Sequence, residues 1–355
     1  MKAWRLDRLG GELKLKDVPR PEPRPGSVLV RIEASTLMSY LKPYVQGKLP
    51  IYNPPPGEFT LGTNGVGVVE EVGRDVWHLK PGQRVVVSSH FVARENVEDP
   101  AQILIGLTSG IGAEAVLADW PDGTLAEYAL LPVEAITPIE GLDHIDSVHL
   151  AGITRCVVPY GGLLRGQLAA GETLIVNGAT GSYGTAAVLL GVAMGAARVI
   201  AAGRKQEALD AVARAGGPRV STVTLTGDVK EDANALRAAS GGGAHIAFDM
   251  VGNAGDPNST LAALHSLRRN GRLVLMGSMT TALPVPYTAL MLNNWKIIGQ
   301  FMYPTDAYLR LFDLLRSGLL NISPIHPRAY PLATLPEAME TASTAGNLEY
   351  VVMQP

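Results

Sequence analysis

The chain has 355 residues, 46% of them hydrophobic and 18% charged, with a formal net charge of −3. At roughly 100–200 residues per domain this length predicts two domains, and the composition is that of a globular protein rather than a disordered one. No Lys/Arg-rich run stands out, which argues against nucleic acid as a partner and leaves a small molecule as the expected one.

The N-terminus, Met1-Lys2-Ala3-Trp4-Arg5, is broken early by charge and has no signal-peptide apolar core. The most membrane-like stretch, residues 183–197, is too short to span a bilayer and stops at Arg198. A soluble, cytoplasmic protein without a membrane partner is expected. Lys14 to Val18 reads as a short strand, followed by a stiff connector with Pro19, Pro21, Pro23 and Pro25. Ser27 to Ile32, Gly65 to Gly73 and Arg84 to Val87 read as further strands, the last after the turn Lys80-Pro81-Gly82-Gln83. His144 and His149 fall on an expected helix before Gly152, as ordinary helix residues.

From about Leu150 the pattern changes. Compact apolar strands are predicted at 173–177, 198–202, 220–225, 246–250 and 272–276. Helices are predicted at 182–195, 207–215, 230–239 and 259–267 between them, and the first is apolar nearly all round, as a doubly covered helix should be. Alternation of strand and helix implies an α/β fold with a parallel sheet covered on both faces. A helix at 305–316 and a closing strand at 349–353 end the chain.

The residues Gly178-Ala179-Thr180-Gly181-Ser182-Tyr183-Gly184 join the first of these strands to the first helix. Glycines there let backbone N–H groups approach a pyrophosphate, and the helix N-terminus adds a positive dipole end. The context of strand, glycine turn, helix and next strand points to a dinucleotide. An ATPase phosphate loop would need Gly-Lys-Ser/Thr, but Thr185-Ala186 follows Gly184. NAD-binding sheets carry an Asp or Glu at the end of the second strand to bond the ribose hydroxyls. This chain has Gly203-Arg204-Lys205, with no carboxylate to repel a 2′-phosphate and two cations to pair with it. NADPH is therefore the expected cofactor.

In order and spacing, Val28-Leu29-Val30-Arg31, Gly62 to Gly73, Lys80 to Val85, Gly123-Thr124-Leu125-Ala126-Glu127-Tyr128, Ala151-Gly152-Ile153-Thr154 and the glycine turn together make the chain similar to the medium-chain dehydrogenase/reductase superfamily, and within it to the zinc-free quinone and enone reductases. The resemblance covers nearly the whole chain. It implies a β-rich GroES-like catalytic domain (residues 1–150, with a return over 296–355), a doubly wound Rossmann domain (151–295), an active site in the cleft between them, and a homo-oligomer, dimeric or tetrameric. Zinc members carry Gly-His-Glu where this chain has Gly62-Thr63-Asn64. Their first and third zinc cysteines fall near Leu37-Met38-Ser39 and Gly152-Ile153, and the structural-zinc lobe falls in residues 89–111; none of these stretches holds a cysteine. The only cysteine, Cys156, reads as a buried hydrophobe, and no metal is expected.

Without a Lewis acid a simple carbonyl is a harder substrate, whereas hydride addition to a conjugated C=C spreads charge into an enolate. Orientation, an oxygen-stabilising donor and a proton source then suffice, so a zinc-independent reduction of an enone or quinone is expected. Tyr40, Tyr44 and Tyr52 lie in the right segment, and Tyr52 and Tyr40 are the candidates to touch substrate. Tyr44 and Lys48 have a Tyr-x-x-x-Lys spacing, but far before the glycine turn rather than after it. The resemblance places Thr154, Gly277-Ser278 and Phe301 around the nicotinamide half of the cofactor, and Val251-Gly252 are read as lying near the cofactor. Asp249 is read as a loop anchor. Two other functions stay open from sequence: a zinc-free alcohol/ketone oxidoreductase with a tyrosine donor, and a non-catalytic NADPH-binding sensor or crystallin-like protein.

Overall fold

The computed structural model describes all residues, Met1–Pro355. The chain folds as two units, one made of Met1–Thr154, Ile325–Ala345 and Glu349–Pro355, the other of Arg155–Pro324 with Gly346–Leu348. No helix is long and apolar enough to cross a membrane.

The first unit is built on a seven-stranded sheet. Its path runs Ile136–Pro138, Arg84–Val87, Gly65–Val72, Ser27–Thr36, Glu349–Gln354, His326–Pro331, with Tyr128–Pro132 paired to the other part of Ser27–Thr36. The C-terminal strand is tied in through Val352 opposite Thr36 and Met353 opposite Ser35. Val28, Val30, Ile32, Val69, Val85 and Val87 point into one core, which also takes Phe91, Ile103 and Ile105. Those last three come from residues 89–111, where the resemblance would put a structural-zinc lobe. Here it forms a small antiparallel sheet of His90–Val92, Gln102–Leu104 and Thr108–Ser109 that is anchored by buried apolar side chains.

The second unit carries a six-stranded sheet, parallel throughout, in the order Val220–Thr224, Arg198–Gly203, Thr173–Asn177, Ala244–Asp249, Leu267–Leu275, Lys296–Gly299. The order reverses between Thr173–Asn177 and Ala244–Asp249, so ligands are expected beyond the carboxyl ends of those two strands. The Ser182–Ala193 helix is buried along most of its length, as its uniform apolarity requires. Arg198–Gly203 is followed by the amphipathic Gln206–Gly216 helix, which presents Leu209 and Val212 to the core.

Three expectations are corrected. The return to the first unit comes at Ile325 rather than residue 296, because Lys296–Gly299 pairs with Leu267–Leu275 and completes the six-stranded parallel sheet. His144 lies in a turn: the helix starts at Ser147, where the Asp146 carboxylate accepts a hydrogen bond from the His149 amide at 3.0 Å and caps it. A helix unforeseen from sequence spans Thr154–Arg165 with Pro159 inside it.

Candidate functional site

The glycine turn sits at the carboxyl end of the Thr173–Asn177 strand. Gly178 has φ +80°, and its amide and that of Ala179 both donate to the Ala202 carbonyl, at 3.1 and 3.0 Å, which locks the turn to the neighbouring strand. The Gly181 amide donates back to the Gly178 carbonyl at 3.0 Å, and the Thr185 hydroxyl donates to the Ala179 carbonyl at 3.0 Å. The helix then opens at Gly181 with no side chain capping its first turn. A Cβ at Gly181 would meet only the Gly178 carbonyl oxygen, at 3.4 Å, and Gly181 and Ser182 are exposed. An open approach to an uncapped helix N-terminus fits a pyrophosphate, whose oxygens would accept from backbone N–H groups of this turn.

Two further loops meet it. The Asp249 carboxylate, buried at the end of its strand, accepts the Val251 amide at 2.8 Å and the Asn177 side-chain amide at 3.3 Å. Burial pushes the Asp249 carboxyl up, against hydrogen bonds that pull it down. Its carbonyl accepts the amides of Met276 and Gly277, at 3.1 and 3.0 Å. A Cβ on Gly277 would lie 2.0 Å from the Val251 carbonyl oxygen, and one on Gly252 would lie 2.8 Å from Ser278 Oγ. The sequence candidates Gly178–Gly184, Val251-Gly252 and Gly277-Ser278 are thus brought to one sheet end, and Asp249 is the anchor of two of the loops.

At the end of the second strand, Gly203 is packed near Thr180, and Arg204 and Lys205 are exposed with no ion pair to a carboxylate. Gln206, not singled out from sequence, ties this corner down: its side chain bonds Asp210 and Thr222 and accepts from the Thr224 hydroxyl. A polar residue opening a helix just past a strand end is the signal that could have found it. Phe301 is 54% exposed after the edge strand.

In the first unit, Tyr40, Tyr44 and Tyr52 form one cluster. The Tyr52 ring is 5.2 Å from that of Tyr44, edge-on, and 6.0 Å from that of Tyr40, tilted by 36°. Tyr44 is fully buried and donates to the Leu107 carbonyl at 2.6 Å. Burial pushes both Tyr44 and Tyr52 up. Tyr44 is therefore an anchor, and its spacing to the exposed Lys48 has no counterpart in a shared site.

Around Gly62-Thr63-Asn64 and next to Gly152-Ile153, where the resemblance would put zinc ligands, the side chains form a network of hydroxyls and amides. The Thr154 hydroxyl donates to the Ala151 carbonyl at 2.8 Å and stands 2.9 Å from the Thr36 hydroxyl. Thr63 and Thr124 pair at 3.2 Å, and Asn64 Oδ1 accepts from the Ser89 amide at 2.7 Å and the Ser89 hydroxyl at 2.9 Å. Nowhere do three or more His, Cys, Asp or Glu side chains converge to hold a metal ion. Neutral hydroxyls already bonded to protein do not fit zinc, which takes thiolate, imidazole or carboxylate ligands.

Two family models match in sequence order: the alcohol dehydrogenase GroES-like domain over residues 24–141 and the zinc-binding dehydrogenase domain over residues 183–317. The chain is 28% identical over 376 residues to an NAD-dependent alcohol dehydrogenase of Sulfurisphaera tokodaii, covering 100% of this chain and 99% of that one. It is 27% identical to human sorbitol dehydrogenase, covering 93% of this chain and 90% of that one. Its fold is shared with a cobalt- and zinc-bound alcohol dehydrogenase from Pyrobaculum aerophilum (TM-score 0.79, 22% identity, 100% and 99% of the two chains). A protein from Sinorhizobium meliloti solved with NADP bound, and named as a zinc-binding dehydrogenase, shares it too (TM-score 0.77, 23% identity, 100% and 99%).

Proposed function

We propose that this chain, which belongs to the medium-chain dehydrogenase/reductase superfamily and is a nicotinamide-dependent oxidoreductase, takes NADPH and reduces a conjugated C=C bond or a quinone without zinc. The observation that carries this reading is the hydroxyl and amide network of Thr36, Thr63, Asn64, Ser89, Thr124 and Thr154, around Gly62-Thr63-Asn64 and next to Gly152-Ile153, where the resemblance would put zinc ligands. Its protons are directed at protein acceptors, so it supplies neither a metal site nor a strong electrophile. A conjugated acceptor needs the least help of this kind.

The Gly178–Gly184 turn would hold the pyrophosphate, and Arg204 and Lys205 the 2′-phosphate. Gly203 would keep the backbone close to the ribose. Thr154, Val251, Gly252, Gly277, Ser278 and Phe301 are proposed neighbours of the nicotinamide half. When bound, the reduced nicotinamide supplies a hydride. The chain's own part is to orient the acceptor, exclude water and give a proton from the Tyr40–Tyr52 pair.

A second reading, a zinc-free alcohol/ketone oxidoreductase with a tyrosine donor, is favoured by the alcohol and sorbitol dehydrogenases among its relatives. An NADPH-oxidation screen over quinones, enones, aldehydes and ketones separates the two. Turnover of quinones or enones well above simple ketones is expected. Activity on unconjugated ketones alone would put the second reading first, and tight NADPH binding without any turnover would leave a sensor. The protein is also proposed to be a homo-oligomer. The Lys296–Gly299 strand is a sheet edge, and the adjacent Tyr287–Asn293 helix buries none of its side chains, with Tyr287, Met291 and Leu292 exposed. Light scattering should give a dimer or tetramer.

A further inference from the structure

The loop that leaves the Lys296–Gly299 strand holds one residue in a conformation that side chains avoid. Met302 has φ +53°, in the left-handed region, although it is neither glycine nor asparagine. Its thioether cannot stabilise that state by a strong local hydrogen bond, so its neighbours must. Gln300 does so: its side-chain Nε2 donates to the carbonyl of Phe301 at 2.9 Å and to that of Met302 at 3.3 Å. Both acceptors are carbonyls, so only the NH2 end of the Gln300 amide fits there. Gln300 is itself tied to the sheet, where its backbone amide donates to the Leu275 carbonyl at 3.1 Å.

The far side of the bend is clamped by packing. A Cβ on Gly161 would lie 2.3 Å from the Met302 carbonyl oxygen and 2.7 Å from Tyr303 Cα, so the helix that carries Gly161 is in backbone contact with the loop. Tyr303 is buried, with its ring edge-on to that of Tyr308 at 5.9 Å. Between these fixed points the Phe301 ring stays half exposed. Backbone strain persists only where the surroundings over-determine it, and it collects at ligand clamps. Here the strained bend does not bury the large apolar ring next to it; it presents that ring.

We infer that Gln300 is a positioning residue for the nicotinamide half of the cofactor, its side-chain amide holding the Phe301–Met302 bend in the form that presents the Phe301 ring. The inference rests on the NADPH reading above and on the place proposed there for Phe301. Without the two Gln300 hydrogen bonds the left-handed conformation at Met302 loses its local support, and the bend relaxes in part of the population. A cofactor that needs the bend then binds more weakly in proportion to the fraction that still holds it. A ligand without the nicotinamide ring does not need the bend and keeps its affinity. Once the cofactor is bound the bend is restored, so the loss falls on binding rather than on the bound complex.

Gln300→Met keeps the length of the side chain and removes both donors. It should weaken NADPH about tenfold and leave ADP-ribose 2′-phosphate, the same molecule without its nicotinamide, within about twofold. In turnover the change should appear in KM for NADPH rather than in kcat. In the background of Met302→Gly, where the left-handed conformation costs little, Gln300→Met should lose much less NADPH affinity. Fluorine NMR of the cofactor-free chain, with fluorophenylalanine at its five phenylalanines, gives a readout that does not depend on the cofactor. The Phe301 signal, assigned by its loss in Phe301→Leu, should shift or broaden in Gln300→Met. A Phe301 signal that Gln300→Met leaves unmoved overturns the hold on the bend. An equal loss of NADPH and ADP-ribose 2′-phosphate, or the same loss with and without Met302→Gly, overturns the positioning role and leaves the NADPH reading standing. An unaltered chain that binds neither ligand overturns the NADPH reading, and the inference with it.

Discussion

A Cβ on Gly184 would lie 2.0 Å from the carbonyl oxygen of Gly178. The first turn of the Ser182–Ala193 helix is thus in backbone contact with the turn that precedes it, and only glycine permits that approach. Gly181 differs, since a Cβ there would meet only the same carbonyl, at 3.4 Å, with solvent beyond. The two glycines therefore separate packing from binding. Gly184→Ala should lower both thermal stability and NADPH affinity. Gly181→Ala should leave the melting temperature nearly unchanged but weaken NADPH binding about tenfold or more, by placing a methyl where the pyrophosphate is proposed to sit. Calorimetric titration beside thermal melts checks this, and equal effects at both positions would show that Gly181 is a packing glycine too.

Arg204 and Lys205 are exposed beyond the Arg198–Gly203 strand and make no ion pair. Lys205 also precedes the first turn of the Gln206–Gly216 helix, where a cation opposes the helix dipole. A bound phosphate would offset that cost. Charge-assisted hydrogen bonds contribute about 1.5–3 kcal/mol each, so Arg204→Ala should weaken NADPH about 10- to 100-fold. NADH, lacking the 2′-phosphate, should change little. Fluorescence titration with both cofactors decides it, and an equal loss for the two would remove the argument for NADPH.

The hydroxyl network at Thr36 and Thr154 predicts a metal-independent protein. Metal analysis after dialysis should find far less than one zinc per chain, and chelators should change neither turnover nor melting temperature. Stoichiometric zinc would overturn the mechanism, because a metal-polarised carbonyl would then become the natural substrate.

The nucleotide unit was the most legible part of the sequence, and the reason is physical. Strands buried on both faces must be unbroken apolar runs, as Leu174–Ile175–Val176 and Val199–Ile200–Ala201–Ala202 are. The Thr154–Arg165 helix left no such mark. Its interior holds Pro159, Gly161 and Gly162, residues that argue against a helix. The two glycines are there for contact: a Cβ on Gly162 would strike Met276 Sδ at 2.3 Å and Phe248 at 2.4 Å. The boundary set at residue 296 failed because an edge strand as short as Lys296–Gly299 is visible only through its pairing partner. Tyr40 and Tyr52 were legible as residues, but their gathering around the buried Tyr44 depends on side-chain geometry that no spacing encodes.

Arg272 and Glu172 join two distant parts of the nucleotide unit, and they make the clearest prediction for stability. Arg272 Nη2 is 2.5 Å from Glu172 Oε2, and Nη1 is 3.0 Å from Oε1, a two-pronged pair with both side chains mostly buried. The guanidinium also donates to the carbonyls of Gly166, Gln167 and His245. Burial alone would raise the Glu172 carboxyl. The Arg272 hydrogen bonds, the Ala169 amide and the nearby positive charges together outweigh it, and the pKa falls below the usual carboxylate value of 4.5. A carboxyl depressed in the folded state contributes stability that is present above its unfolded pKa and lost as pH falls through the folded one. Acid destabilisation should therefore set in below about pH 4.5. Arg272→Met leaves Glu172 buried with burial as the dominant influence, so it should cost about 3–5 kcal/mol at neutral pH, a fall of roughly 6–20 °C in melting temperature for a unit of this size. Part of that loss should return on acidification, as Glu172 takes up a proton. Glu172→Gln should flatten the acid dependence instead. Melting curves of the three proteins from pH 7 down to pH 4 test the sign, and an Arg272→Met protein that only loses stability as pH falls would show that this pair does not set the acid response.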